Sequence, residues 1–562
     1  MLIVFEGIDG SGKTTLSNRV ARELRRAGLS VRHVREDGKL ASPVSEGLRL
    51  FTKNPRNLAL TPMAELLLYA ARETQLLEEV TRPALAEYEL VIADRFLYTA
   101  EVLARWGRGL PEHEVRPILE ACARGLQPDR VFLIDVDPAI ARARRRITRL
   151  LAPPQGTSSR KGLAGVGMQA RLRAGYRALA AEAPERWSLV ENADVPLDTM
   201  VGLLVQEVLR LVKGDVPSSN HPVRARPAPP LRSLAEVRGC FLARLDGWMQ
   251  EEPQLAAWFL AGLEGPDIDE RRSQLAGKHP EVIAYGLSGL TDANAWELRR
   301  QLEEAAPVQV LGSLKDLASD VPKAWALRER WETRKQEAVA ESLGGLDSER
   351  AWAMRERIYF SAAEQVVGSL AGIGGERAWR ERSRWLSDMG GEAALGLERV
   401  ARIACRSIRG VDDERAWEWR ERAFEAAPDA VLRTLDGLDS ERAWEMRERH
   451  VARAPRAVLG TLEGLDVPRA WALRESFGVQ CEEALDSFVG MEGATAWKLR
   501  TALADTWPAA TVKNLGPLAF TSRGRALIER LLESHPHDFA LLRQAVRATR
   551  DTTTQELRDA SA

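Results

Sequence analysis

The stretch MLIVFEGIDGSGKTTL, residues 1–16, decides the fold of the first part of this chain. Gly7, Gly12, Lys13 and Thr14 in it fill the pattern G-x-x-x-x-G-K-[ST]. An apolar segment, Leu2 to Phe5, precedes the pattern, and an amphipathic helical segment follows it. A turn between a strand and a helix is the context that a phosphate-binding loop requires.

The residue types of this loop suit a phosphate group. Glycines at positions 7, 10 and 12 let successive backbone N–H groups converge on phosphate oxygens, at the positive end of the following helix. The ammonium group of Lys13 adds a point charge for the β- and γ-phosphates, and the Thr14 hydroxyl is placed to ligate Mg²⁺. The loop therefore predicts binding of a nucleotide with its magnesium ion.

The amino-acid composition argues against several classes of protein. Of the 562 residues 29% are charged, yet the net charge is only -1, which gives no overall field for nucleic acid or an anionic membrane. Four widely spaced cysteines without a C-x-x-C pair indicate neither a disulfide framework nor a zinc site. No apolar run approaches the ~18 residues of a membrane span. We expect a soluble, cytoplasmic protein.

Up to about Lys213, short β-rich runs alternate with helical stretches. This alternation predicts an α/β domain with a parallel sheet covered by helices on both faces. Ligands of such sheets bind at the carboxyl ends of the strands, where the glycine-rich loop and the pair Asp94-Arg95 both fall. The predicted strands are Leu2 to Phe5, Val31 to Val34, Leu90 to Asp94, Val131 to Asp135 and Ser188 to Glu191.

The second part of the chain follows a different pattern. A Pro- and Ser-rich stretch, Gly214 to Pro230, predicts a linker, and fourteen of the sixteen tryptophans follow it. They occur in copies such as GLDSERAW and GVDDERAW, 27 residues apart in the best cases. We therefore predict three regions: 1–213, a linker at 214–230, and a repeat domain at 231–562. The copies end at Trp296, Trp325, Trp352, Trp379, Trp417, Trp444, Trp471 and Trp497.

Each copy predicts two short helices. Gly closes the preceding helix, Asp or Ser caps the next one, and Pro307, Pro428 or Pro455 begins the second helix. About eight such pairs predict an α-solenoid that resembles HEAT-like arrays. We interpret the tryptophans as structural, each packing against the next unit. The R-E-R runs, such as Arg447 to Arg449, are interpreted as a solvated face with i,i+3 and i,i+4 ion pairs.

Residues 1–213 resemble thymidylate kinase, a nucleoside monophosphate kinase of the P-loop class. FEGIDGSGKTT matches that family's loop, and VIADRF with GRGL matches its second signature. AELLLYAA resembles the substrate helix, GLQPDRVFLIDVDP the fourth-strand region, and RLRAGYRALA with NADVPLD the C-terminal end. The resemblance implies phosphorylation of dTMP to dTDP, with ATP as co-substrate and Mg²⁺ as cofactor, in dTTP biosynthesis.

The resemblance also implies roles for single residues. Lys13, Asp94 and Arg95 would be catalytic, with Arg149 of the lid segment as an arginine finger; Arg160 is the alternative finger. Thr14 and Asp94 would hold the metal. The ATP phosphates would lie on Gly7, Ile8, Asp9, Gly10, Ser11, Gly12, Lys13 and Thr14, and the acceptor nucleotide on Asp9, Glu36, Arg49, Tyr69, Arg72, Arg95 and Thr99.

The base-contact positions depart from the family and leave the acceptor open. Arg72 stands one position before the family's arginine, whose slot holds Glu73, and Ala100, Leu103 and Ala104 offer neither the amide nor the phenol expected near the base. A kinase for another nucleoside monophosphate is one alternative. A second is a degenerate, kinase-like nucleotide switch in a signalling or defence-type scaffold. Besides nucleotides, we expect a protein partner on the solenoid, no membrane or nucleic acid partner, and leave open a homodimer through residues 1–213.

Overall fold

The computed structural model describes residues 1–36, 40–53, 60–151, 166–192, 195–214, 234–315, 317, 320–388, 397–535 and 538–548. The chain divides into two compact units, 1–146 with 154–229 and 147–153 with 230–562. The predicted linker lies outside the described residues beyond Gly214, so the limits of the three predicted regions stay a prediction. Within the described residues, no helix combines the length and apolar character needed to cross a bilayer.

The first unit is built on a parallel five-stranded sheet in the order β2-β3-β1-β4-β5. Phe5 lies opposite Asp94, which places the carboxyl ends of β1 and β3 side by side. Residues of β1, β3 and β4 are fully buried because helices cover both faces of the sheet. The predicted α/β class is confirmed. The strands are β1 Leu2–Glu6, β2 Val31–His33, β3 Leu90–Asp94, β4 Arg130–Asp135 and β5 Trp187–Glu191.

Nine α-helices accompany the sheet in the described residues of this unit. On one face, Leu16 and Val20 of the first helix meet Leu204 of the last one against Phe5 and Phe132 of the sheet. Burial of each such side chain contributes roughly 1.5–3 kcal/mol. The helices are α1 Lys13–Arg26, α2 Pro43–Lys53, α3 Pro62–Leu76, α4 Arg82–Glu87, α5 Leu97–Val102, α6 Glu112–Ala123, α7 Pro138–Leu151, α8 Val166–Glu182 and α9 Leu197–Val212; π-helical turns Leu77–Thr81 and Leu103–Gly107 extend α3 and α5.

An ion-pair cluster fixes α8 at the carboxyl end of the sheet. Asp135, the last residue of β4, accepts two hydrogen bonds of 2.7 Å from Arg173 and one of 2.5 Å from Arg177. Burial would raise the pKa of Asp135, but the two guanidinium groups outweigh it and hold that pKa below its usual value. The carboxylate is therefore ionised at neutral pH, and it anchors the helix that covers the strand ends.

The second unit is a continuous array of helix pairs, eleven of them in the described residues. The first helices are Leu234–Glu251, Pro266–Ala276, Ala293–Leu302, Pro322–Trp331, the start of Glu349–Gly368, Gly375–Asp388, Glu414–Phe424, Glu441–His450, Pro468–Phe477, Ala494–Leu503 and Ser522–Ser534. The second helices are Pro253–Phe259, Pro280–Tyr285, Pro307–Gly312, Gln336–Ser342, the part of Glu349–Gly368 after a kink at Ala362, Leu397–Ser407, Pro428–Leu432, Pro455–Leu459, Glu483–Asp486, Pro508–Leu515 and Phe539–Ala548. We number the pairs as repeats 1 to 11. The predicted helical array is confirmed.

The helix ends follow the predicted pattern. Asp292 and Asp413 cap their helices, each accepting a hydrogen bond of 2.9 Å from the backbone N–H three residues later. Pro307, Pro428 and Pro455 begin second helices, where the missing N–H costs no hydrogen bond. The sequence signals at these positions therefore act locally, as caps and helix starts do.

The tryptophans are structural, as predicted. Trp417 packs with Leu435 and Leu438 of its own turn and with Ala443 of the next first helix. The indole N–H of Trp444 donates to Oδ1 of Asp439 at 2.8 Å, so its polar atom is satisfied as well. The Trp417 indole thus joins its first helix to the next one.

The prediction for the R-E-R runs is wrong at the first arginine. Arg447 is fully buried, and its guanidinium donates to the carbonyls of Leu435 and Leu438, both at 2.6 Å, and to the Thr461 hydroxyl at 3.0 Å. These groups lie at the ends of two successive second helices, where the helix dipole is negative. Such an arginine is buried in nine repeats of the described residues: Arg272, Arg299, Arg328, Arg355, Arg382, Arg420, Arg447, Arg474 and Arg500.

These arginines keep their charge although they are buried. Burial lowers the pKa of Arg447 to about 10, so the side chain is still protonated at neutral pH. Its guanidinium carbon lies 4.7 Å from the centre of the Trp444 ring, and Arg469 of the next repeat lies over the same ring at 5.4 Å. The Trp444 indole is therefore held between two cations, a buried one from its own repeat and an exposed one from the next.

The exposed charges pair mainly between repeats and not within one helix. Arg442 bonds to Glu414 at 3.0 Å and Arg469 to Glu441 at 2.8 Å, each across 28 residues. The predicted i,i+3 pairing does occur in places, as between Arg300 and Glu297. Parallel stacking of the first helices explains the difference, because it places equivalent positions of neighbouring repeats side by side.

The array closes on itself within this unit. Phe539 of the last helix lies 5.2 Å from Phe241 and 4.5 Å from Trp248 of the first one, measured between ring centres. Arg543 donates from Nε to the carbonyl of Phe259 at 3.0 Å and from Nη2 to that of Ala261. The sequence predicted the repeats, but it gave no sign that the last repeat packs against the first.

Candidate active site

The glycine-rich loop has the backbone that its sequence predicts. Gly7, Gly10 and Gly12 have positive φ angles of 142°, 90° and 93°. A Cβ atom would come within 2.4 Å of the Ile134 carbonyl oxygen at Gly7 and within 2.3 Å of the Ala141 carbonyl oxygen at Gly10. Side chains are thus excluded at both positions, and the loop packs directly against the ends of neighbouring elements.

Lys13 lies at the bottom of this loop with only 6% of its surface exposed. Its ammonium group donates to the Ile8 carbonyl at 3.3 Å and lies 3.8 Å from Oδ1 of Asp9. Burial, aided by the charge of Arg95, lowers the pKa of Lys13 to about 8, although nearby carboxylates oppose the shift. A bound phosphate would favour the charged form and so restore the full cation.

Thr14 and Asp94 form a pair suited to magnesium. The Thr14 hydroxyl donates to Oδ2 of Asp94 at 2.6 Å, while Oδ1 is buried and has no hydrogen-bond partner among the described residues. No group of three or more His, Cys, Asp or Glu side chains in that part of the chain could hold a metal ion. One carboxylate and one hydroxyl, completed by nucleotide phosphates and water, are the ligands that Mg²⁺ accepts.

Arg95 extends across the mouth of the loop. Its φ is 83°, an uncommon angle for a residue with a side chain, and its N–H donates to the Phe5 carbonyl at 3.0 Å. Its guanidinium donates to Oδ1 of Asp9 at 2.5 Å and to the Thr99 hydroxyl at 3.0 Å. Burial would lower the pKa of Arg95, but Tyr176 and nearby carboxylates raise it, so the cation is permanent.

Glu6 supports Arg95 and was not recognised in the sequence. It is fully buried and accepts hydrogen bonds of 2.8 Å from the Phe96 N–H and from the Thr99 hydroxyl. Burial is the largest influence on its carboxyl and raises its pKa, although Arg95 and these hydrogen bonds oppose the shift. A charged residue that interrupts the apolar run of β1 was the signal that could have identified it.

A cavity of about 310 Å³ opens above the loop and brings most of the predicted residues together. Its walls come from the glycine-rich loop, α2, α3, the start of α5, α7 and α8. The lining residues are Gly7, Ile8, Asp9, Gly10, Lys13, Thr14, Arg35, Arg49, Thr52, Tyr69, Arg72, Arg95, Thr99, Leu103, Arg145, Gln169, Leu172 and Tyr176.

Five predicted residues are not part of this lining: Ser11, Gly12, Asp94, Glu36 and Arg149. Glu36 is exposed and bonds to Arg25 at 2.7 Å, and Arg149 is exposed near the end of α7. Arg145, one turn earlier, lines the cavity instead and lies 3.8 Å from Oδ2 of Asp9. Ala141 lies one turn before Arg145, and its carbonyl oxygen is close to Gly10. This part of α7 therefore faces the loop. Arg160 lies outside the described residues.

The amide and phenol that the sequence lacked after Arg95 come from α8. Gln169 accepts a hydrogen bond of 3.1 Å from the Asp9 N–H, and the Tyr176 hydroxyl lies 3.0 Å from that of Thr99. The two residues are seven positions apart, hence on one helix face. Sequence analysis missed them because they follow the loop by about 160 residues, and only the helix period could have paired them.

The wall opposite α8 carries an aromatic ring and several arginines. The Arg72 guanidinium carbon lies 4.5 Å from the centre of the Tyr69 ring. Arg35 donates to the Asp94 carbonyl at 3.0 Å, and Arg49 bonds to Glu46 at 2.6 and 2.8 Å. The cavity therefore has a cationic wall, a ring suited to stacking, and the loop at its floor.

Comparisons with known proteins agree with this geometry. The family model described as thymidylate kinase matches residues 5–198. A thymidylate kinase of Trichlorobacter lovleyi is 38% identical over 198 residues, which are 35% of this chain and 91% of that protein. That of Solidesulfovibrio magneticus is 34% identical over 196 residues, 35% of this chain and 93% of its own.

A solved structure was also found. The thymidylate kinase of Ehrlichia chaffeensis is 24% identical, with a TM-score of 0.28, and the match covers 37% of this chain and 98% of that one. The two curated relatives are matched over nearly their whole length. The range matched by the family model, residues 5–198, contains Asp94-Arg95, α8 and the glycine-rich loop. Through this region, the chain belongs to the thymidylate kinase family.

Proposed function

We propose that this chain is a thymidylate kinase, which transfers the γ-phosphoryl group of ATP to dTMP and yields ADP and dTDP for dTTP biosynthesis. The observation that carries the proposal is that one cavity contains both halves of the required chemistry. Lys13 and Thr14 of the phosphate-binding loop line the same cavity as Arg95, Tyr69 and Arg72. The family relationship supports the same acceptor.

On the donor side, the loop N–H groups and Lys13 hold the ATP phosphates. Thr14 and Asp94 would hold Mg²⁺, which would neutralise charge on the phosphate oxygens. The unpartnered Oδ1 of Asp94 supports this assignment, because a buried acceptor without a donor is costly unless a ligand completes it. The transfer has a loose transition state, so positioning and charge neutralisation are the main tasks of these residues.

On the acceptor side, Arg95 binds the dTMP phosphate and directs it toward the γ-phosphate. Asp9 pairs with this guanidinium, and the dianionic phosphate would compete with it for the same donors. Thr99 and Tyr176 hold the arginine from the other side. Arg95 can therefore accept the phosphate with little rearrangement.

Arg145 is the arginine that we assign to the transferring group. It lies within 3.8 Å of Asp9, over the loop, whereas Arg149 lies outside the cavity. A guanidinium here would neutralise charge that develops on the γ-phosphoryl oxygens. Arg145→Ala should lower kcat more than it raises either KM, and Arg149→Ala on the same helix is the matched control.

The assay that tests the proposal uses the full-length protein, Mg-ATP and a panel of nucleoside monophosphates, with diphosphate formation as the readout. We expect dTMP to have the highest kcat/KM. Faster turnover of another monophosphate would identify a different acceptor. Nucleotide binding without diphosphate formation from any of them would support the switch alternative.

Location and partners remain predictions of the sequence. We propose a cytoplasmic enzyme, since the reaction uses soluble nucleotides. A protein partner on the repeat array and a homodimer through residues 1–213 are also proposed. Co-purification with the array alone and light scattering of the full chain test these two proposals separately.

A further inference from the structure

Arg72 and Glu73 are consecutive residues of α3, and both are buried, with 4% of each exposed. Arg72 lines the cavity, whereas Glu73 does not. Adjacent helix positions point about 100° apart, so a carboxylate beside a cavity-facing arginine is placed to hold it from behind. Neither residue of this pair is exposed enough to be a solvated surface ion pair.

Glu73 fixes the guanidinium of Arg72 in the cavity wall. Arg72 donates to Oε1 of Glu73 from Nε at 2.9 Å and also from Nη2. The guanidinium stacks on the Tyr69 ring, and the Arg72 carbonyl accepts a hydrogen bond of 3.0 Å from the Ser45 hydroxyl of α2. Side chain and backbone are thus held from three directions before any nucleotide binds.

Glu73 also balances the charge of this wall. Burial would raise the pKa of Glu73, but Arg72, Arg35 and Arg95 outweigh burial and hold that pKa below its usual value. Burial lowers the pKa of Arg35, and Glu73 is the strongest influence in the opposite direction. One ionised carboxylate therefore faces three cations that surround the acceptor end of the cavity.

We propose that Glu73 is a positioning residue for the acceptor nucleotide: it holds Arg72 against Tyr69 and keeps Arg35 and Arg72 together in one wall. The proposal rests on the proposed kinase function. Arg72 contacts the acceptor, and Glu73 acts through it. The interaction is made in the ground state and kept in the transition state, so its loss should raise KM for the acceptor and leave kcat nearly unchanged.

The test is Glu73→Gln in the full-length protein, with Glu65→Gln as a matched control. Glu65 lies on the same helix, is equally buried and bonds to Arg108 at 2.7 Å, but it does not line the cavity. We expect Glu73→Gln to raise KM for dTMP about tenfold or more, because a charge-assisted contact is lost. KM for ATP and kcat should stay within about twofold, as should all three constants of Glu65→Gln.

Glu73→Asp keeps the charge and covers the case in which Glu73→Gln does not fold. It should raise KM for dTMP by less than the glutamine variant, and calorimetric dTMP affinity should follow the same order. Unchanged KM for dTMP in both variants, or parallel changes in kcat and both KM values, would overturn the proposal. A wild-type protein that neither binds nor phosphorylates dTMP would contradict the proposed function instead, so the two failures are distinguishable.

Discussion

At the scale of single residues, the cationic side chains of the cavity are paired with carboxylates. Lys13 and Arg95 both form ion pairs with Asp9. Each phosphate that enters replaces a carboxylate that was already a partner, so the cations need little movement. The predictions at this scale follow from removing one charge at a time.

Lys13→Ala should lower kcat at least about 100-fold while the protein stays folded, because Lys13 neutralises phosphate charge. Its side chain contributes little to the apolar core. Kinetics and circular dichroism measure the two effects. Arg19→Ala, on an exposed position of the same helix, is the control. Near wild-type turnover in a folded Lys13→Ala protein would be incompatible with the kinase assignment.

ATP binding should weaken as the pH rises above about 8. Burial lowers the pKa of Lys13 to about 8, whereas bound phosphates would favour the protonated ammonium. Binding above this pKa must therefore take up a proton, and affinity should fall by up to about tenfold for each pH unit. Calorimetry in buffers of different ionisation enthalpy detects the uptake. A Lys13→Arg variant should bind without this dependence.

Arg95→Ala should impair use of dTMP far more than binding of ATP. Arg95 contacts Asp9, Thr99 and Tyr176 on the acceptor side of the cavity. Steady-state kinetics with each substrate varied in turn should show the loss mainly in kcat/KM for dTMP. A collapse of ATP affinity with unchanged acceptor kinetics would place Arg95 on the donor side instead.

At the scale of secondary-structure elements, a repeat depends on one buried cation as much as on its tryptophan. Arg447 bonds to carbonyls at the ends of two successive second helices, so it joins these helix ends. Arginine suits this place because its planar fork donates in several directions and it stacks on an aromatic ring. Each repeat of this kind is therefore stabilised by a buried guanidinium ion that bonds to carbonyl groups at the negative ends of helices.

Arg447→Met should destabilise its neighbourhood by about 3 kcal/mol, because buried carbonyls lose their donor. Hydrogen exchange of the full-length protein should show faster exchange in the helices Glu414–Phe424, Glu441–His450 and Pro455–Leu459. Arg449→Met, exposed on the same helix, should leave exchange there unchanged. Equal effects of both substitutions would mean that the buried bonds contribute no more than a surface charge.

How far the sequence predicts the structure depends on the distance over which each signal acts. The strands, the loop around Lys13 and the helix caps are local, and they agree with the structure. Arg447 was placed on the surface because a charged residue is rarely buried without a carboxylate, and the carbonyls it meets are not visible as a sequence pattern. Gln169 reaches the loop only through folding of the sheet, which no local pattern encodes.

At the scale of the whole molecule, two unlike units are joined in one chain. The motifs of the kinase family all lie before residue 214, so a fragment of residues 1–213 should retain phosphoryl transfer. Limited proteolysis should cut first between Gly214 and Pro230, and the fragment should be assayed beside the full chain. A soluble but inactive fragment would mean that the repeats complete the catalytic site.

The contact between the last and first repeats restricts how the number of repeats in the array can change. An open array can gain or lose a unit at small cost, since each added repeat only lengthens the row. Here Phe539 must meet Phe241, and Arg543 must reach the Phe259 carbonyl, after a fixed number of steps. Insertion of one more repeat would carry the last helix past its partner. The number of repeats is therefore fixed by this contact, and adding or removing one repeat would require the contact to break.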